Sequence, residues 1–183
     1  MTSWTLLSVA LMLMCSSILC SLGCDLTQGL KKDFSLLHQI SPFSLEPYWK
    51  DANNFNLPKE TMEGSQLQRK NGTVIVHEMV QEIFSIFSLN AIPAACNQNQ
   101  FMQLLSGLDQ QMEQLERCVE QDVEWKESSL GSDNPRLALK RYFQGTSQYL
   151  QGKECSHCVW EIVRVEIRRV FLFISKFTRK LGN

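Results

Sequence analysis

Residues 41–72 read SPFSLEPYWKDANNFNLPKETMEGSQLQRKNG. Pro42, Pro47, Pro58, Gly64 and Gly72 punctuate the stretch. A connection this long is unusual inside a compact domain and points to function rather than filler. It also sets the topology, because a long link lets the helices on its two sides run parallel.

Helical periodicity surrounds it. Leu30, Phe34, Leu37 and Ile40 share one face of a helix predicted over about residues 29–40. After the link, Thr73 is the predicted N-cap of a second helix. Val76, Met79, Val80, Ile83, Phe84 and Phe87 give that helix a wide apolar stripe, and Pro93 breaks the chain. Phe101, Leu104, Leu105, Leu108, Met112, Leu115 and Val119 recur at spacings of three and four, predicting a third helix over about 99–119. Asn134-Pro135 opens a fourth, with Leu139, Tyr142, Phe143, Tyr149 and Leu150 inward and Gly152 at its end. Ser156 is placed to cap a fifth, whose inner face carries Val159, Trp160, Val163, Ile167, Val170, Phe171 and Ile174. Arg164, Arg168, Arg169, Lys176, Arg179 and Lys180 are expected mostly on its outer side. Alternating strand patterns with hairpin turns are missing. The reading is all-α: a five-helix bundle of cytokine type, with the long loop after the first helix.

The chain has 183 residues, which suits one domain, and a net charge of −1, which gives no global basic field for nucleic acid. Residues 1–23 hold no Lys, Arg, Asp or Glu, and an apolar run from Leu6 ends in small residues. This pattern predicts a secretory signal cleaved before Cys24, leaving residues 24–183 as the mature, extracellular domain. No later apolar run is long enough to span a bilayer. Secretion favours disulfides, but Cys24, Cys96, Cys118, Cys155 and Cys158 make an odd set. Asn71-Gly72-Thr73 is the one N-glycosylation sequon.

Each catalytic pattern fails on its own requirements. His77-Glu78 would need a second His at position 81 to hold zinc, and that residue is Gln81. Cys155 and Cys158 have the spacing of half a zinc site, with no second close pair. As a redox dithiol they would sit well at a helix start, but lack βαβ surroundings. No nucleophile elbow frames a serine. Glu113 and Glu116 read as a solvated helix face. No motif calls for a cofactor.

Four ordered stretches carry a family resemblance: VIVHEMVQEIFSIFS (74–88), LDQQMEQLERCV (108–119), LALKRYFQGTSQYL (137–150) and CSHCVWEIVRVEIRR (155–169). Together with CDL at 24–26 and FNLP at 55–58, they resemble the type I interferons, nearest the alpha/omega group. The resemblance implies a non-enzymatic, monomeric cytokine that bridges two receptor chains and triggers kinase/STAT signalling, with antiviral and growth-inhibitory responses. It implies that the high-affinity receptor chain meets Trp49, Lys50 and Ala52 of the long loop. On the last helix the same chain would meet Arg164, Val165, Arg168, Arg169, Leu172 and Phe173. The low-affinity chain would meet Glu78, Phe84, Ser85, parts of the third helix and Lys140. The family carries a loop arginine where Ala52 aligns, so Trp49 and Arg168 are candidate compensators.

The resemblance also implies a Cys24–Cys118 disulfide. The family's second bond would use Cys158, but its loop partner is missing, with Leu45 near the expected place. Bundle topology brings Cys96 to the same end as Cys155 and Cys158, so Cys96 is expected to bond one of them. A Cys155–Cys158 ring would be strained at a helix start. Rival readings are a different helical cytokine, a secreted thiol oxidoreductase using Cys155 and Cys158, and a membrane-active protein using the basic last helix.

Overall fold

The computed structural model describes residues 27–41, 43–44, 55–63, 65–121, 133–152 and 157–181. Six helices, and no strands, occur among them. They are α1 (Thr27–Gln39), α2 (Lys59–Met62), α3 (Ser65–Leu89), α4 (Gln98–Gln121), α5 (Asp133–Gly152) and α6 (His157–Leu181).

Five are the expected ones, with shifted ends. The largest shift is at α3, which begins at Ser65 and runs through Thr73, so Thr73 is not a cap. One helical Gly costs about 1 kcal/mol relative to Ala. Burial of Val76, Met79, Val80, Ile83 and Phe87 outweighs that at Gly72, since each fully buried apolar side chain contributes roughly 1.5–3 kcal/mol. The single turn α2 is the addition. It follows Pro58 and places Met62 fully inside, so part of the long connection belongs to the core. Local caps set other ends. Asn90 Nδ2 donates to Ile86 O at 2.6 Å as α3 stops, and Asn97 Oδ1 accepts from Gln100 N at 3.1 Å as α4 starts. Ser156 lies outside the described residues, so its expected cap does too.

Side-chain contacts give the helix directions. Gln100 Nε2 donates to Gln39 Oε1, and Gln111 Nε2 donates to Asp33 Oδ2, so α1 and α4 are antiparallel. α3 and α4 join through the short link 90–97, with Phe87 against Phe101 near it (6.0 Å), so they too are antiparallel. Hence α1 and α3 run parallel, as the long connection allows. α6 meets α1 head to tail: Arg164 reaches Leu37 O and His38 O, while Arg168 lies over Phe34. Arg136 pairs with Glu78, and Lys140 acts electrostatically on Glu82, which sets α5 parallel to α3.

The core lies between these layers. Trp160 is fully buried, with Phe87 at 5.5 Å and Phe101 at 6.0 Å, and joins α6 to the α3–α4 turn. Phe143, Phe171, Phe177, Leu104 and Leu108 extend it along the bundle.

Candidate functional site

Helix α6 combines two faces with different chemistry. Its outer strip carries Arg168, Arg169, Leu172, Lys176, Arg179 and Lys180, and Leu172 is 50% exposed. Arg168 sits 5.3 Å from the Phe34 ring centre, a cation–π contact that joins α1 to this strip. Arg169 pairs with Glu166 at 3.3 Å, and Lys180 reaches Glu63 at 3.5 Å. A half-exposed leucine among basic groups can dock an acidic, partly apolar partner.

The inner face holds three residues expected to touch a receptor. Val165 is fully buried and packs beside Ile162 under Phe55 and Tyr149. Phe173 is buried too and stacks on Phe177 at 5.5 Å. Arg164 departs most from the outward position read in the sequence. Its guanidinium is fully buried. Nε donates to Glu161 Oε2 at 2.9 Å, and Nη1 donates to Leu37 O at 3.0 Å and His38 O at 3.4 Å. Nη2 donates to Phe43 O at 3.1 Å and also to Glu161. A buried charge needs such partners, and the helix period puts this one inside. None of the three presents surface in this conformation.

A second group of expected contacts lies on α3 and α5. Glu78 is buried and paired with Arg136, while Phe84 is half-buried against the core. Ser85 is half-exposed and Lys140 exposed. Burial raises the Glu82 carboxyl above its usual range, and the nearby Lys140 charge partly offsets this. Trp49, Lys50 and Ala52 lie outside the described residues, as do Cys24, Cys155 and the predicted signal segment.

The cysteines correct one expectation. Cys118 is disulfide-bonded, with its partner outside the described residues. Cys96 and Cys158 are both free thiols, so the expected bond from Cys96 is not formed. The two share one end of the bundle but not one environment. Cys96 is buried beside Ser41 and Trp160, whereas Cys158 is exposed on the first turn of α6. Burial, reinforced by the Glu161 charge, pushes the Cys96 thiol up and keeps it protonated. The sequon asparagine Asn71 lies within α3, but its side chain is outside the described set.

Several buried polar residues were not singled out from the sequence. Glu161 is fully buried, with His157 Nε2 at 3.7 Å from its Oε1. Glu166 accepts from Tyr142 Oη at 2.5 Å, and burial raises its pKa despite that bond and the Arg169 charge. Burial likewise pushes the Tyr142 hydroxyl far up. Asp33 is almost fully buried against Gln111, with its pKa raised to about 7, chiefly by burial. These groups fix helix pairings. Among the described residues, no cluster of three or more His, Cys, Asp or Glu is placed to hold a metal. No helix among them is long and apolar enough to cross a membrane.

Comparison with known proteins agrees with this architecture. The model of the interferon alpha/beta domain matches residues 22–181. Bovine interferon tau-2 is 39% identical over 167 residues, covering 90% of this chain and 97% of that protein. Human interferon omega-1 is 43% identical over 167 residues, covering 89% of this chain and 86% of that one. Horse interferon alpha-1 is 42% identical over 174 residues, with coverage of 91% and 92%. Among solved structures, zebrafish interferon 2 superposes with a TM-score of 0.67 over 82% of this chain and 97% of its own, at 20% identity, which bears on the fold alone. The motifs, the parallel α1–α3 connectivity and these matches agree: the chain belongs to the type I interferon family of cytokines.

Proposed function

We propose that this protein is a secreted ligand that bridges the two chains of the type I interferon receptor. Bridging would start kinase/STAT signalling, with antiviral and growth-inhibitory outcomes. The observation that carries the reading is the outer strip of α6. Leu172 stands half-exposed among Arg168, Arg169 and Lys176 on a chain of near-zero net charge. A cationic strip around an apolar anchor steers an acidic receptor surface and then buries the anchor. Arg168, Arg169 and Leu172 form the proposed high-affinity docking strip, and Trp49, Lys50 and Ala52 of the long loop are proposed as further contacts of the same receptor chain. The opposite face, around Ser85 and Lys140 with the edge of Phe84, is proposed for the low-affinity chain. Residues 1–23 are proposed as the cleaved signal, Asn71 as the glycosylated position and Cys24 as the partner of Cys118.

The deciding experiment is interferon-responsive reporter induction in matched cells with and without the type I receptor. Induction confined to receptor-bearing cells is the expected result. Equal induction in both lines would overturn the proposal.

A further inference from the structure

We propose that Arg164 and Glu161 are positioning residues for the docking surface rather than receptor contacts. This rests on the receptor reading above and refines it. Glu161 and Arg164 are both fully buried, so neither reaches a partner's surface. The donors of Arg164 are occupied inside the protein. Glu161 takes one edge of the guanidinium, and Leu37 O, His38 O and Phe43 O take the rest.

The three carbonyls explain the arrangement. Leu37 and His38 belong to the last turn of α1, where carbonyls have no intrahelical partner. Phe43 lies just beyond, on the connection that leads to Trp49, Lys50 and Ala52. One planar guanidinium therefore fixes the angle at which the chain leaves α1. The same side chain sits one helical turn before Arg168 on α6. It ties the start of the loop to the docking helix at a set spacing. Glu161 balances the buried charge and orients the fork. Phe43 adds a second tie, its ring meeting His157 edge-on at 4.1 Å. A lysine at 164 could keep the charge but could not span Glu161 and carbonyls from two segments.

The test uses the full-length protein and two variants. Arg164→Lys keeps the charge and loses the fork. The pair Arg164→Met with Glu161→Leu removes both buried charges together, an exchange that often preserves folding where a single deletion does not. Surface plasmon resonance against the high-affinity receptor ectodomain reads docking. Hydrogen exchange over residues 41–44 reads the clamp, since Phe43 N donates to Ser41 Oγ at 3.3 Å. Both variants are expected to bind at least about fivefold more weakly, mainly through faster dissociation. Both are also expected to exchange faster at 41–44. If Arg164→Lys fails to fold, the paired variant decides.

Lost affinity with unchanged exchange would mean that Arg164 touches the receptor itself, and would overturn the proposal. Faster exchange with full affinity would also overturn it, since the clamp would then not serve docking. If the parent protein does not bind the receptor at all, the proposed function fails, while the exchange measurement still reports separately on the clamp.

Discussion

Replacing Asp33 by Asn should flatten part of the protein's pH-dependent stability. Asp33 is 1% exposed between α1 and α4. Gln111 Nε2 donates to its Oδ2, Gln111 Oε1 is buried with no hydrogen-bond partner among the described residues, and Lys32 supplies the nearby positive charge. Gly107 faces the carboxyl so closely that any Cβ there would collide with Oδ1. Burial lifts the pKa from 3.8 to about 7. The folded state therefore holds the proton more tightly than the unfolded chain does. The resulting stability is full below the unfolded pKa and is lost as pH rises towards the folded one. Linkage over those two values gives a loss of about 2.5 kcal/mol between about pH 5 and pH 7.4, and about 2 kcal/mol once solvent screening is allowed for.

Protonation also gives the carboxyl an O–H that Gln111 Oε1 can accept, adding a second hydrogen bond to the one that Gln111 Nε2 already donates. Asp33→Asn keeps the shape and removes the titration. Glu82 and Glu166 are raised as well and slope both proteins equally, so the difference between parent and variant isolates Asp33. The measurement is urea unfolding by circular dichroism at several pH values. The variant should gain about 2 kcal/mol on the parent between about pH 5 and pH 7.4. A gap that stays constant across that window would refute the reasoning.

Three further outcomes are expected. Leu172→Ala should weaken binding to the high-affinity receptor chain by about 1–2 kcal/mol without lowering the melting temperature, since Leu172 is half-exposed; unaltered resonance affinity would remove it from the docking strip. Tyr142→Phe strips the hydroxyl that donates to buried Glu166 and should cost about 1–3 kcal/mol in denaturant unfolding, with no loss if the bond is unimportant. In native protein, iodoacetamide should label Cys158 readily and Cys96 only after unfolding, because Cys96 is buried and its thiol pushed up; mass mapping that finds Cys96 labelled first would contradict its placement.

The helices and the connectivity were legible because periodicity and loop length carry them directly. Val76 to Phe87 and Phe101 to Val119 repeat every three or four residues, and the proline-rich connection separates parallel partners. The turn α2 was hidden because four residues carry no period, and only the burial of Met62 reveals it. On α6 three expected contacts, Arg164, Val165 and Phe173, are buried instead, and Arg164 shows why. Arg164 falls four after Trp160 and three before Ile167, on the apolar stripe itself. The charge suggested an outward position, but the spacing already placed it inside. Asp33, between Leu30 and Leu37, and Gln111, between Leu108 and Leu115, obey the same rule. A polar residue at core spacing needs a partner from another helix, and one helix's pattern cannot name it. The Cys96 pairing was misread for a related reason. Topology brings chain segments to one end of a bundle, but does not set which way each sulfur points.

The antiparallel pairing of α1 with both α4 and α6 has a consequence for how the protein is made. Of the described helices α1 is made first, yet its apolar stripe waits for helices at the middle and the far end of the chain. Arg164 meets Leu37 across a separation of 127 residues. A nascent chain short of α6 has no Trp160 for its core and no guanidinium for the end of α1. Such late, long-range closure leaves greasy surface uncovered through much of synthesis. The last helix thus completes the core among the described helices, and a shortened C-terminus would deprive α1 of one of its two antiparallel partners.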